Sequence, residues 1–184
     1  MKKHLFAMAA IAIAMGGTMS ASAAQLTDSN TAVSGGTVNF IGQVVDAACS
    51  VSADSINQTV QLSQVRAAKL TTAGMVANQK ENFTIKLEDC DTSVKQNAAV
   101  IFNGQQDANL AGTLANTAGA GSATNVALQL YGPDGQVLNV GDTSSSVALN
   151  NGENVIPLSV DYIATGEATA GNVSATATFS MVYS

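Results

Sequence analysis

The sequence is poor in the residues on which many enzyme sites and nucleic-acid surfaces depend. It has no tryptophan, a single histidine (His4) and only 11% charged residues. Beyond residue 23, five Lys and Arg stand against thirteen Asp and Glu, so this part carries a net charge of −8. Nucleic acids and anionic membranes bind basic patches. We therefore expect neither of them as a partner.

Catalytic and metal-binding patterns are equally scarce. The two cysteines, Cys49 and Cys90, form no CxxC motif, and no histidine lies beyond residue 23. A zinc site or a histidine-activated serine is therefore disfavoured. The densest acidic cluster is Glu88, Asp89 and Asp91, which suggests either a calcium or acid–base site or a solvated turn. It lacks the glycine and the spacing of a calcium loop, so we favour the turn and expect no catalytic, cofactor or metal site.

The N-terminus has the pattern of a secretory signal. A positive start (residues 2–4) precedes an apolar stretch (residues 5–15) and the small-residue cleavage site Ala21-Ser22-Ala23. We expect residues 1–23 to be removed, with no membrane insertion afterwards. In an exported protein, an even pair of cysteines indicates a disulfide. We therefore expect Cys49 and Cys90 to be bonded, with a metal or reactive-thiol role as the less favoured alternative.

The remaining chain alternates apolar and polar residues in short runs that Gly and Asn turns separate. Such a pattern predicts an all-β sandwich. The best helix candidate, residues 63–74, is short and diluted by threonines. The predicted strands are 37–45, 58–65, 82–90, 98–104, two runs within 125–138, 154–165 and 175–184.

The last predicted strand raises a question about its neighbours. Its alternation continues to the end of the sequence, so no later residues supply a strand beside it. An apolar edge strand without a partner leaves the core open. Near the other end, an arm at residues 24–45 contains a strand of matching alternation. We expect the arm of one molecule to complete the sandwich of another, which would build a filament because a head-to-tail contact does not close.

Several stretches resemble one known family. They are 35–51, 58–70, 87–94, 121–130, 149–158 and 175–184, together with a glycine fourteen residues from the end (Gly171) and a penultimate tyrosine (Tyr183). In these features the sequence resembles the major pilins of chaperone–usher fimbriae, close to the type 1 major subunit.

The resemblance implies an incomplete immunoglobulin-like sandwich that is completed by a donor strand from a neighbouring subunit. It implies a signal peptide (1–23), a donor-strand arm (24–45) and a pilin domain (46–184). It also implies a periplasmic chaperone, an outer-membrane usher, fimbrial tip subunits and further copies of this chain as partners, with export through the periplasm to the fimbria. The implied donor residues are Val33, Val38, Phe40, Gly42 and Val44, and the implied groove strand carries Gly171, Val173, Ala175, Ala177, Phe179, Met181 and Tyr183.

Three other functions stay open at this point. A minor fimbrial adaptor would share the same family features. A secreted carbohydrate-binding module would need a cluster of aromatic and polar residues, and Tyr131, Tyr162 and Tyr183 are scattered. A periplasmic enzyme is disfavoured because histidine is missing beyond residue 23.

Overall fold

The computed structural model describes residues 35–42, 44 and 47–184. Backbone contacts divide the chain into two units, Met1–Gly42 and Gln43–Ser184. The predicted signal segment, the first part of the arm and Val33 lie outside the described residues. In the first unit, residues 35–42 form neither helix nor strand. Among the helices in the described ranges, none is long and apolar enough to cross a membrane.

The second unit is built mainly from β-strands, as the alternation predicted. A four-residue helix and one 3₁₀ turn interrupt them. The elements are β1 (Ser50–Val51), α1 (Ala53–Ile56), the 3₁₀ turn Ala67–Lys69, β2 (Glu81–Cys90), β3 (Asn97–Gly104), β4 (Leu114–Ala115), β5 (Val126–Tyr131), β6 (Val137–Leu138), β7 (Val147–Ala148), β8 (Gly152–Ala164) and β9 (Ala177–Tyr183).

These strands form two antiparallel sheets. The first has the order β1-β2-β8-β5-β4, with β6 also paired to β5, and the second has the order β7-β3-β9. Phe83 on β2 and Phe102 on β3 meet edge to face between the sheets, with ring centroids 6.1 Å apart. Apolar residues of both sheets belong to one buried core. The predicted all-β sandwich is therefore confirmed.

The predicted strand at residues 58–65 is wrong in one respect: this segment joins no backbone ladder. Side chains make its contacts to β2 instead. The Gln58 amide donates to the Thr84 carbonyl (2.8 Å), and the Ser63 backbone N–H donates to the Glu81 carboxylate (3.3 Å). The alternation correctly predicted that one face of the segment is half-buried. Periodicity alone, however, does not specify which strand a segment will pair with.

The predicted disulfide is confirmed. Cys49, just before β1, is bonded to Cys90, the last residue of β2, and their Cα atoms lie 4.1 Å apart. Both cysteines are buried. The bond closes a loop across a sequence separation of 41 residues. A constraint of that length stabilises the fold by roughly 4 kcal/mol in the chain-entropy model.

A buried carboxylate on β8 binds the segment that precedes β2 in the first sheet. Asp161 on β8 is fully buried. Its two carboxylate oxygens accept hydrogen bonds from the Gln79 backbone N–H (3.3 and 3.2 Å), and one of them also accepts from the Tyr162 N–H (2.8 Å). Since a buried charge is costly unless its hydrogen bonds are made, Asp161 holds the segment that leads into β2 against β8.

Candidate subunit interface at the open edge of the sandwich

The terminal strand β9 is the edge of its sheet. It pairs with β3 along its full length, from Ala98 opposite Tyr183 to Gly104 opposite Ala177. Along its other edge, the described part of the chain supplies no strand. Unpaired backbone N–H and C=O groups along such an edge are a template for another strand.

The inward face of β9 is only partly covered. Ala177, Phe179, Met181 and Tyr183 pack against the core, yet each remains half-buried. By contrast, Phe102 on the adjacent strand is only 5% exposed, although its ring lies 6.2 Å from that of Phe179. The core is therefore closed over β3 and open over β9.

The segment at residues 58–65 supplies a second half-buried apolar surface. It runs beside β2, at the edge of the first sheet, and carries Val60, Leu62 and Val65. The aromatic rings of Phe83, Phe102 and Phe179 connect the two sheets beneath it. We call the half-buried apolar residues of this region the open groove: Val60, Leu62, Val65, Phe83, Val173, Ala175, Ala177, Phe179, Met181 and Tyr183.

The resemblance implied the β9 side of this groove, but it indicated none of the residues that the segment 58–65 and β2 contribute. Val60, Leu62, Val65 and Phe83 were predicted only as residues of ordinary strands. The signal available was the alternation of residues 58–65, which marks one apolar face without indicating what covers it. Only the folded structure shows that residues 58–65 form no backbone ladder with a neighbouring strand.

One end of the groove shows why residue 171 is a glycine. A Cβ at Gly171 would lie 2.3 Å from the backbone N of Ala123 and 2.5 Å from the carbonyl carbon of Ser122. The Asn172 N–H donates to the Gly121 carbonyl, and the Asn172 carbonyl accepts from the Ala123 N–H, both at 2.9 Å. Glycine is therefore required for this close backbone approach. A cavity of about 340 Å³ adjoins it, lined among others by Val65, Leu70 and Val173.

The C-terminal end of β9 is hydrogen-bonded to the chain beside the disulfide. The Tyr183 hydroxyl donates to the Cys49 carbonyl at 3.3 Å. Burial raises the pKa of the Tyr183 hydroxyl above its usual value of 10.0. Ser184 continues the ladder, because its N–H donates to the Asn97 carbonyl and its own carbonyl accepts from the Asn97 N–H. The strand thus extends in regular register to the last residue of the sequence.

The donor residues expected from the resemblance are strongly exposed where they are described. Val38 is 71% exposed, Phe40 92% and Val44 100%. A Cβ built at Gly42 would meet no atom within 4 Å. Val33 lies outside the described residues. Exposed apolar side chains of this size favour association with another surface.

The acidic cluster lies at the end of β2 and not within the turn that the sequence suggested: Glu88 and Asp89 belong to β2, and Asp91 directly precedes the turn at residues 92–94. Asp91 accepts hydrogen bonds from the Ser93 hydroxyl (2.6 Å) and the Ser93 backbone N–H (2.8 Å), and these two bonds lower the pKa of its carboxyl group. Glu88, Asp89 and Asp91 are all exposed. In the described ranges, no three His, Cys, Asp or Glu side chains are grouped closely enough to hold a metal ion. The cluster therefore lies exposed to solvent where β2 ends and the next turn begins.

Known proteins resemble this chain over most of its length. The sequence profile of the family described as "Fimbrial protein" matches residues 38–184. The chain belongs to the fimbrial protein family. It is 46% identical over 177 residues to the type-1 fimbrial protein A chain of Escherichia coli strain K12, which covers 94% of this chain and 97% of that relative. It is 48% identical over 166 residues to the type 1 fimbrial subunit of Klebsiella pneumoniae, which covers 88% of this chain and 90% of that relative.

Solved structures agree with this family. A chaperone–usher pilus structure matches with a TM-score of 0.66 and 27% identity, over 82% of this chain and 96% of that one. The P pilus rod subunit PapA shares the fold, with a TM-score of 0.62 and 24% identity, over 75% of this chain and 100% of that one. This fimbrial protein is therefore a structural subunit, exported through the periplasm to an extracellular fimbria on the bacterial surface. These relatives do not favour a carbohydrate-binding module or an adaptor subunit.

Proposed function

We propose that this fimbrial subunit polymerises head to tail by donor-strand exchange. In this proposal, residues 33–44 of one copy enter the open groove of the next and pair with the free edge of β9. Strand addition of this kind is known for chaperone–pilin complexes. The observation that carries the proposal is the unpaired edge of β9 above a half-buried apolar face.

The dimensions of arm and groove support this pairing. A strand rises about 3.3 Å per residue, so residues 33–44 span about 40 Å when extended. Residues 173–183 form an acceptor of nearly the same length. The donor side chains Val38, Phe40 and Val44 share one face with Gly42 in an extended chain. Burying each of these three apolar side chains contributes about 1.5–3 kcal/mol.

Gly42 takes a specific role in the proposal. It interrupts the apolar face of the donor strand between Phe40 and Val44, and its own chain leaves the space around it open. A glycine in a strand commonly marks a site where another backbone approaches closely. We therefore assign Gly42 to the point where the donor backbone passes nearest to the groove.

The same groove defines the remaining partners in this proposal. A periplasmic chaperone lends a strand to the edge of β9 before assembly, and the arm of the next subunit displaces it at the outer-membrane usher. Tip subunits complete the fimbria by the same contact. Residues 1–23 act as the signal, 24–45 as the arm and 46–184 as the pilin domain. The division of backbone contacts after Gly42 supports a boundary between arm and domain.

The protein acts in this proposal as a building element and not as an enzyme. Both cysteine thiols are consumed in the disulfide. The single histidine belongs to the predicted signal segment. Among the described residues, nucleophile–base pairs that need a free cysteine or a histidine are therefore missing.

The test is to supply the missing strand within one chain. Residues 33–45 are moved from the N-terminus to a position after Ser184 through a short Gly/Ser linker. A short linker gives an effective concentration on the order of mM, so the segment should fill its own groove. We expect a soluble monomer that forms no fibres and unfolds at higher denaturant than the same chain without the segment.

The matched control carries Val38→Asp and Phe40→Asp within the relocated segment. These charges would be buried without partners, so this control should unfold like the chain that lacks the segment. Continued polymerisation of the relocated chain, or equal stability of all three proteins, would show that the groove is not the acceptor.

A further inference from the structure

Only two methionines lie beyond the predicted signal segment, and the fold places them differently. The other four of the six methionines are at positions 1, 8, 15 and 19. Met75 lies outside the open groove, is 42% exposed, and its sulfur accepts a hydrogen bond from the Thr71 hydroxyl (3.3 Å). Met181 lies on the groove face of β9 between Phe179 and Tyr183, half-buried and packed against the core.

We propose that Met181 is an oxidation site that controls whether the groove accepts a strand. A peroxide transfers one oxygen atom to the methionine sulfur: the O–O bond breaks, an S–O bond forms, the sulfur is oxidised by two electrons, and the peroxide leaves as water. The product is a polar, chiral sulfoxide in place of a flexible apolar side chain. This inference rests on the proposed strand exchange, since it concerns the same groove.

The position of Met181 gives the modification its effect. Its register partner on β3 is Val100, which is fully buried, so the side chain belongs to the apolar layer of the groove. A donor strand seated above it would cover the part of the Met181 side chain that is still exposed. The sulfoxide oxygen would then be buried among apolar side chains without a hydrogen-bond donor, which opposes strand entry. A donor strand that is already seated should, for the same reason, protect the sulfur from peroxide.

Met75 serves as the internal reference. It is not part of the groove, so assembly should leave its reactivity unchanged. The sequence favours a clean measurement, because tryptophan is absent and the one histidine belongs to the predicted signal segment. The two cysteines are already bonded to each other. Peroxide therefore has few other side chains to attack in the mature protein.

The first experiment compares monomeric mature subunits with intact fimbriae under the same dose of hydrogen peroxide. Sulfoxide at each position is measured by peptide mass spectrometry. We expect Met75 to be oxidised equally in both samples. We expect Met181 to be oxidised in the monomer and about tenfold less in fimbriae, since a covered sulfur reacts slowly. Equal oxidation of Met181 in both samples would overturn the proposal.

The second experiment measures polymerisation of Met75→Leu and Met181→Leu subunits, each compared with its own untreated sample. Peroxide should slow polymerisation of Met75→Leu by about tenfold or more, because its remaining methionine is in the groove. Treatment with methionine sulfoxide reductase should restore the polymerisation rate of this subunit. The Met181→Leu subunit should polymerise at nearly the same rate with and without peroxide treatment.

Unchanged polymerisation of treated Met75→Leu, or equal loss in both variants, would refute the role of Met181. The self-complemented chain described above tests strand exchange without any oxidant. A failure of the proposed function would appear there as continued polymerisation. A failure confined to Met181 would appear only in the peroxide measurements.

Discussion

We expect substitutions at two glycines, Gly171 and Gly42, to distinguish the folding of the subunit from its assembly. Gly171→Ala adds one methyl group at a point where the chain contacts itself. That carbon would lie 2.3 Å from the Ala123 backbone N and 2.8 Å from the Ala123 Cα. Ordinary van der Waals contacts begin near 3.4 Å. The obstructing atoms are backbone atoms, so no side-chain rotation can relieve the overlap.

The magnitude follows from this geometry. Overpacking a well-packed site typically costs about 1–3 kcal/mol, and a clash with backbone belongs at the upper end of that range. We therefore expect Gly171→Ala to lower the free energy of unfolding by about 3 kcal/mol. This loss reduces the ratio of folded to unfolded subunit by roughly a hundredfold. The start of the groove strand should be displaced as well.

Equilibrium unfolding of the monomeric subunit in urea measures this loss as a lower midpoint at unchanged slope. Gly35→Ala is the matched control, because a Cβ there meets no atom within 4 Å. Gly42→Leu should also leave the unfolding midpoint close to that of the parent chain, yet it should stop polymerisation. If Gly171→Ala unfolds at the parent midpoint, the close approach is not rigid and the packing argument is wrong. Normal polymerisation of Gly42→Leu would contradict the assigned donor contact.

Two further predictions concern buried polar groups. Asp161→Asn should lower the free energy of unfolding by about 1.5–3 kcal/mol, because a charge-assisted hydrogen bond to backbone N–H groups is lost. The same carboxylate-to-amide change at exposed Glu167 should have little effect, and equal midpoints would refute the role of Asp161. Burial raises the pKa of Tyr131, Tyr162 and Tyr183 above 10.0. Their stabilisation is therefore complete below about pH 10 and is lost as the pH rises through the folded-state pKa values, so a urea midpoint that stays constant above pH 10 would contradict it.

Much of the fold could be predicted because strands have a short period that is visible in one sequence. The alternation at 82–90 and 175–184 corresponds to β2 and β9, and the turn at Gly132–Gly135 separates β5 from β6. The disulfide could be predicted as well, since two cysteines in an exported chain allow one intrachain pairing. The donor role of the arm remains a prediction.

Other features of the fold could not be predicted from the sequence. The short helix α1 was missed, because four residues carry no recognisable helical period. Residues 58–65 alternate like a strand but contact β2 through side chains. The burial of Asp161 gave no sequence signal, because its partners are backbone N–H groups, one of them 82 residues away along the chain. Such contacts depend on how distant segments meet.

The sequence by itself determined the faces of the strands, since alternation is a local property that each residue carries with it. It also determined the disulfide pairing, because two cysteines allow only one intrachain bond. Only the tertiary structure decided which faces remain uncovered. Among the described residues, an open groove exists because β9 pairs with β3 alone and because residues 58–65 form no ladder with β2. Pairing between strands depends on segments far apart in the chain, and a local pattern does not specify which of them will meet.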